Sequence, residues 1–177
     1  MSLTAREFWT LVHGMGLGAL FLLAFAGGLA GLYSYTPKWL TTGGIRERIL
    51  RLDIGTGLMA LVAWLTVISG TWIVYPWYRA QPPQGTTDLS AYPRSFLLAD
   101  PNRAAWHTFG MEWKEHVAWM SPLLATLVFF GVLYYGRRLA DEPGIRRILI
   151  AVFVAAFVAA GIAGLFGALI TKAAPIL

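Results

Sequence analysis

The sequence predicts an all-α membrane protein, four transmembrane helices forming a bundle, and three observations predict it. Four long apolar runs cover Phe8–Tyr33, Leu52–Tyr78, His116–Tyr135 and Ile148–Ile170. At ~1.5 Å per helical residue each is long enough to cross a hydrocarbon core of ~30 Å. None carries a Lys, Arg or Glu between its ends, and Asp53 lies only at the start of the second. Hydrophobic residues make up 57% of the 177 and charged residues 13%, about half the charged share usual in soluble domains. Four spans and short connections use up the chain, so one domain is expected over 1–177, with spans at about 8–33, 52–78, 104–135 (including an outer extension) and 146–171.

The elements follow in order. The first run is longer and more aromatic than a signal-peptide core and lacks a clear small-residue cleavage site, so it is read as a mature span. Trp9 is its interface anchor. It carries Gly14 and Gly18 four apart, then Gly27, Gly28 and Gly31, spacings that let helix backbones approach closely in lipid. Residues 45–52 read as a short amphipathic helix before the second span. Pro76 is expected to end that span, with Trp77 and Tyr78 at the interface. Pro82-Pro83-Gln84-Gly85 is a turn or extended stretch. Asp100-Pro101 reads as a helix start, Asp as N-cap and Pro at the first helical position, so the third helix is expected to run from there to Tyr135. Asp141 is a candidate cap for the fourth helix, whose Ala156, Ala160, Gly164 and Ala168 make a small-residue packing stripe.

Charge sets the expected orientation. Lys38, Arg46, Arg48 and Arg51 lie between the first two spans, and Arg137, Arg138, Arg146 and Arg147 between the last two. Eight of the fourteen basic residues thus occupy two short connections on one side. The positive-inside rule makes that side cytoplasmic and puts both termini and the 79–115 segment outside, in what is expected to be a bacterial cytoplasmic membrane. The net charge of +5 therefore reads as lipid-facing and not as a nucleic-acid signal. The absence of cysteine excludes disulfides, thiolate metal sites, iron–sulfur clusters and thioether-linked haem. No serine triad, paired intramembrane carboxylates or phosphate-cradling glycine motif is present, so electron transfer is favoured over stand-alone catalysis.

The histidines carry the functional expectation. An ionisable group in or at a span is a functional-site hypothesis by default. His13 follows Trp9 by one turn, about 6 Å deeper. His116 lies between Trp113 and Trp119, at the same interface level. The first and third helices enter from the same side, so the two imidazoles share a depth near the outer face. Two neutral imidazoles suit the axial positions of a haem iron. Gly16, beside His13, and Met120, one turn past His116, are expected to line the cofactor. His107 is read as lying outside the spans and half a turn out of phase with His116.

In outline these features resemble the small four-helix membrane cytochromes of b type, in which histidines on two helices clamp haem. The resemblance rests on four spans, His13, His116 and the neighbouring glycines, and covers the whole chain as an architecture. It implies one haem b, relaying electrons near the outer face to an outer partner, other membrane subunits or quinol, as part of a larger redox complex. The outer aromatic residues, Trp72, Tyr75, Trp77, Tyr78, Trp106, Phe109, Trp113 and Trp119, serve as an interface belt or as packing for a quinone ring or haem edge.

Two other readings stay open. Glu112 and His116, four apart on one helical face, suit a zinc, iron or copper ion, although the spacing matches neither the zincin helix nor the di-iron carboxylate motif. The second is a cofactor-free accessory or scaffold subunit whose small-residue stripes bind neighbours in the membrane.

Overall fold

The computed structural model describes residues 2–39 and 44–175. The described chain is all α: four long apolar helices make it a multi-pass integral membrane protein. They are α1 (Ala5–Ser34), α2 (Ile45–Tyr78), α4 (Trp106–Ala140) and α5 (Pro143–Ala173), and a short helix, α3 (Pro93–Leu98), precedes α4. The chain forms two compact units. One takes the chain up to Gly18, Leu65–Trp119 and the chain from Gly161 on; the other takes Ala19–Trp64 and Met120–Ala160. Each is described by itself, the first being called the terminal unit because it carries both chain ends.

In the second unit each long helix packs on two neighbours. Phe25 of α1 stacks on Phe157 of α5 with ring centroids 4.0 Å apart. Gly28 of α1 meets Gly55 of α2, where a Cβ on Gly55 would lie 3.1 Å from the Gly28 nitrogen. Trp64 of α2 donates from Nε1 to Thr126 Oγ1 of α4 at 3.0 Å, and Gly131 of α4 lies under Leu149 of α5. This closes a ring of neighbours, a four-helix bundle. Because lipid tails are as apolar as the side chains, such contacts are held by close packing rather than by exclusion of water. The contacts select among the small residues. Gly28, Gly31, Gly55, Gly57 and Gly131 each face a neighbouring helix, whereas a Cβ on Gly27 would meet nothing within 4 Å. Ala156 is fully buried, but Gly164 and Ala168 of the same four-residue stripe are exposed. The buried line on α5 runs instead through Phe153, Ala156, Ala163 and Ile170.

The terminal unit holds three π-helical turns, Val12–Gly16, Gly70–Val74 and Trp106–Met111. In the first, the Leu17 N–H reaches back five residues to the Val12 carbonyl. In the second, the Tyr75 N–H reaches Gly70. Each contains glycine, and the second stands directly before Pro76, whose ring would collide with the carbonyl four residues earlier in a regular helix. The helix therefore runs through Pro76 to Tyr78. Such widened turns concentrate at functional sites.

Three local expectations are corrected. Residues 45–52 are not a separate helix but the first turns of α2, since nothing between Arg51 and Gly55 breaks it. Asp100 does not cap α4. Its carboxylate accepts from the Asn102 N–H at 2.9 Å and pairs with Arg103, and its carbonyl accepts from the Arg103 and Ala104 N–H groups. The result is a turn joining α3 to α4, so α4 begins at Trp106 and His107 lies inside it. Asp141 does not cap α5, because Glu142 is the residue before its first position, Pro143, and the Glu142 carbonyl accepts the Arg146 N–H. The turn at Pro83 is present, with Thr86 N donating to the Pro83 carbonyl and Gly85 at φ +85°.

Helix α3 joins an apolar cluster in the terminal unit made by Tyr78, Leu97, Met111, Ile170 and Ala174, with Phe96 and Phe166 beside it. Pro93 stands in its first turn, where its missing N–H costs nothing. That position carries Arg94 toward α4.

Candidate functional site

The polar chemistry of the terminal unit gathers on and between the three π turns. His13 lies in the first of them. Its Nδ1 is 3.0 Å from Ser69 Oγ on α2, and Ser69 Oγ itself donates to the Thr66 carbonyl at 3.1 Å. Either group can donate in the His13–Ser69 pair, and the Thr66 backbone also hydrogen-bonds the ring. The ring rests on the second π turn, with Cε1 2.7 Å from where a Cβ on Gly70 would stand. Glycine at 70 is what lets the imidazole lie there.

His116 is arranged similarly at the level of its ring. Its Nε2 is 3.2 Å from Glu112 Oε2 one turn earlier. A carboxylate only accepts, so Nε2 carries the hydrogen and Nδ1 is the free nitrogen. Its placement differs. The His116 side chain is 72% exposed and that of Glu112 48%. Lys114, about 200° round the helix from His116, lies on α5, with Nζ 2.5 Å from where a Cβ on Gly167 would stand. His116 therefore turns away from α5, whereas His13 packs on α2 and lies close enough to Lys114 to interact with it electrostatically. Each histidine thus has its own neighbour, Ser69 for His13 and Glu112 for His116.

The other expected site residues fall as follows. Gly16 is exposed, and a Cβ there would come only within 4.0 Å of the Leu11 carbonyl. Met120 is 47% exposed at the start of the helical run after the turn at 117–119. Glu112 and His116 face each other as a pair, and among the described residues no third His, Asp or Glu converges with any two others to hold a metal.

His107, in the third π turn, is buried. Arg94 Nε donates to its Nε2 at 3.3 Å. Because guanidinium only donates, Nε2 accepts and Nδ1 carries the hydrogen. Nδ1 is 3.0 Å from the Tyr78 hydroxyl. Both ring nitrogens are occupied, so His107 has no lone pair to give a metal. Tyr78 stacks on Tyr75 at 6.1 Å and 15°, and the Tyr75 hydroxyl hydrogen-bonds Glu115.

Sequence reasoning missed Arg94 and Ser69 in these roles. The Pro93-Arg94 start of α3 marks a helix, but nothing local says that it packs on α4. For Ser69 no sequence signal exists, because its partner lies 56 residues away.

Fold and site together define a multi-pass, all-α membrane protein whose three histidines all lie in one unit. Comparison with known proteins finds no matching family model, no matching curated protein and no matching solved structure.

A haem or metal can be tested against the residues present. At His13 they fit. A metal-bound histidine characteristically donates its other ring N–H to an oxygen that fixes the tautomer, and Ser69 Oγ is such an oxygen here.

Proposed function

We propose that this chain is a membrane electron-transfer protein that holds one haem b in the terminal unit through His13, as a subunit of a larger redox complex. The observation that carries the reading is the seating of the His13 ring, with Nδ1 held 3.0 Å from Ser69 Oγ so that Nε2 is the nitrogen assigned to the iron. When bound, haem supplies one-electron chemistry between its ferric and ferrous states. The chain's residues do the rest. Ser69 and the Thr66 carbonyl orient the imidazole, and Gly70 supplies the surface on which it lies. His116 reaches an iron only by leaving Glu112 and turning, so coordination by His13 alone is the state supported here. A quinol or a partner subunit serves as electron donor or acceptor. The test is the visible spectrum of purified protein after haem-supplemented expression. A reduced-minus-oxidised difference with haem b bands is expected, and a colourless folded protein overturns the reading.

A second reading, a cofactor-free accessory subunit, is favoured by one observation. Glu112 and His116 form an exposed polar pair on a helix that is otherwise apolar over much of its length. A colourless protein that copurifies with defined membrane partners, and loses them on Glu112→Ala, supports it.

A further inference from the structure

Lys114 is a charged side chain within a long apolar helix, and neither histidine role explains it. It is half-buried and makes no hydrogen bond or ion pair among the described residues. Its ammonium rests on α5 at Gly167, where a Cβ would lie 2.5 Å from Nζ and push it aside. The nearest carboxylate in sequence, Glu115, projects about 100° away; it is bonded to Tyr75 of α2, and its Oε1 is itself buried without a hydrogen-bond partner. Beside Lys114, the indole of Trp113 packs on Phe166 of α5. Its Nε1 is buried with no hydrogen-bond partner. Two donors on adjacent residues thus lie against the Phe166–Gly167 step, and neither makes a hydrogen bond among the described residues. Buried polar groups are ordinarily satisfied, and an unpaired charge in apolar surroundings is the costliest exception. A negative oxygen satisfies the ammonium and the indole N–H together and also neutralises the charge. Phe109 and Leu165, exposed on α4 and α5, give apolar surface along which an acyl chain can lie.

We propose that Lys114 and Trp113, with Gly167 as the floor, bind the oxyanion of an amphiphile: the phosphodiester of an anionic lipid or the carboxylate of a fatty acid. The ammonium neutralises the charge, the indole N–H adds direction, and the acyl chain follows the apolar faces of α4 and α5. This proposal does not rest on His13 holding iron.

The test uses the full chain in nanodiscs of phosphatidylcholine alone, with phosphatidylglycerol, or with oleate, reading melting temperature and the lipid retained by native mass spectrometry. Wild type should melt several degrees higher with one or both anionic additions and retain the matching molecule. A shift with phosphatidylglycerol only identifies the phosphodiester, and one with oleate only identifies the carboxylate. Lys114→Met should lose the shift, and Lys114→Arg should keep part of it. Gly167→Ala should reduce it with the charge intact, because the methyl pushes Nζ aside; this variant also decides the matter if Lys114→Met fails to fold. Trp113→Phe should weaken retention. No shift in wild type, or the same shift in Lys114→Met or Gly167→Ala, overturns the proposal.

Discussion

Gly70→Ala puts one methyl group where the His13 ring lies. The added Cβ would stand 2.7 Å from Cε1 and 3.3 Å from Nε2, far inside van der Waals contact, so the imidazole must move. Moving it breaks the 3.0 Å bond from Nδ1 to Ser69. Overpacking costs ~1–3 kcal/mol and the lost hydrogen bond ~0.5–1.5 kcal/mol, which together give a destabilisation of ~2–4 kcal/mol. Ser69 retains its own bond to the Thr66 carbonyl, so α2 should stay helical and the damage should remain local. The assay is reversible unfolding in mixed detergent micelles for Gly70→Ala, His13→Ala and the double variant. If the collision is with His13, the alanine at 70 costs little once the imidazole is gone, and the cycle yields a coupling of ~0.5–3 kcal/mol. An equal cost in both backgrounds would refute the reasoning, because the methyl would then be hurting the π turn itself rather than the histidine. Haem content measured on the same samples should fall with Gly70→Ala.

Three further outcomes are expected. His107→Ala leaves Arg94 and the Tyr78 hydroxyl without their shared partner and should destabilise the protein by ~1–3 kcal/mol while haem content stays unchanged, checked by unfolding and pyridine haemochrome. Gly55→Ala drives a Cβ to 3.1 Å and 3.2 Å from backbone atoms of Gly28, which cannot yield as a side chain can, and should cost ~1–3 kcal/mol, whereas Gly27→Ala, facing open space, should be neutral in the same assay. With no native cysteine, cysteines engineered at positions 48, 90 and 138 report topology in intact cells. Position 90 should label from outside and the other two should be protected, and the reverse pattern overturns the charge-based orientation.

Much of the helical plan was legible because four apolar runs admit little else in a chain of this length. The π turns were not, since a five-residue backbone hydrogen bond leaves no mark in residue type beyond a nearby glycine or proline. Helix α3 escaped notice because Pro93–Leu98 is too short for periodicity to show, and its burial depends on the cluster it joins. The histidines illustrate the limit most directly. Counting residues from the interface tryptophans gave His13 and His116 a common depth. Depth says nothing about direction around a helix axis. The direction of His116 follows from Lys114 seated on Gly167, and that contact joins residues 53 apart. The saturation of His107 likewise depends on Arg94 and Tyr78 meeting it from two other elements.

The most direct measurement is haem content and electron paramagnetic resonance of the wild type beside His13→Ala and His116→Ala, with membrane abundance matched. The expected result is a ferric high-spin signal that His13→Ala abolishes and His116→Ala leaves unchanged. Haem retained in His13→Ala would contradict the account, and a low-spin signal lost in both variants would restore the two-histidine clamp in its place.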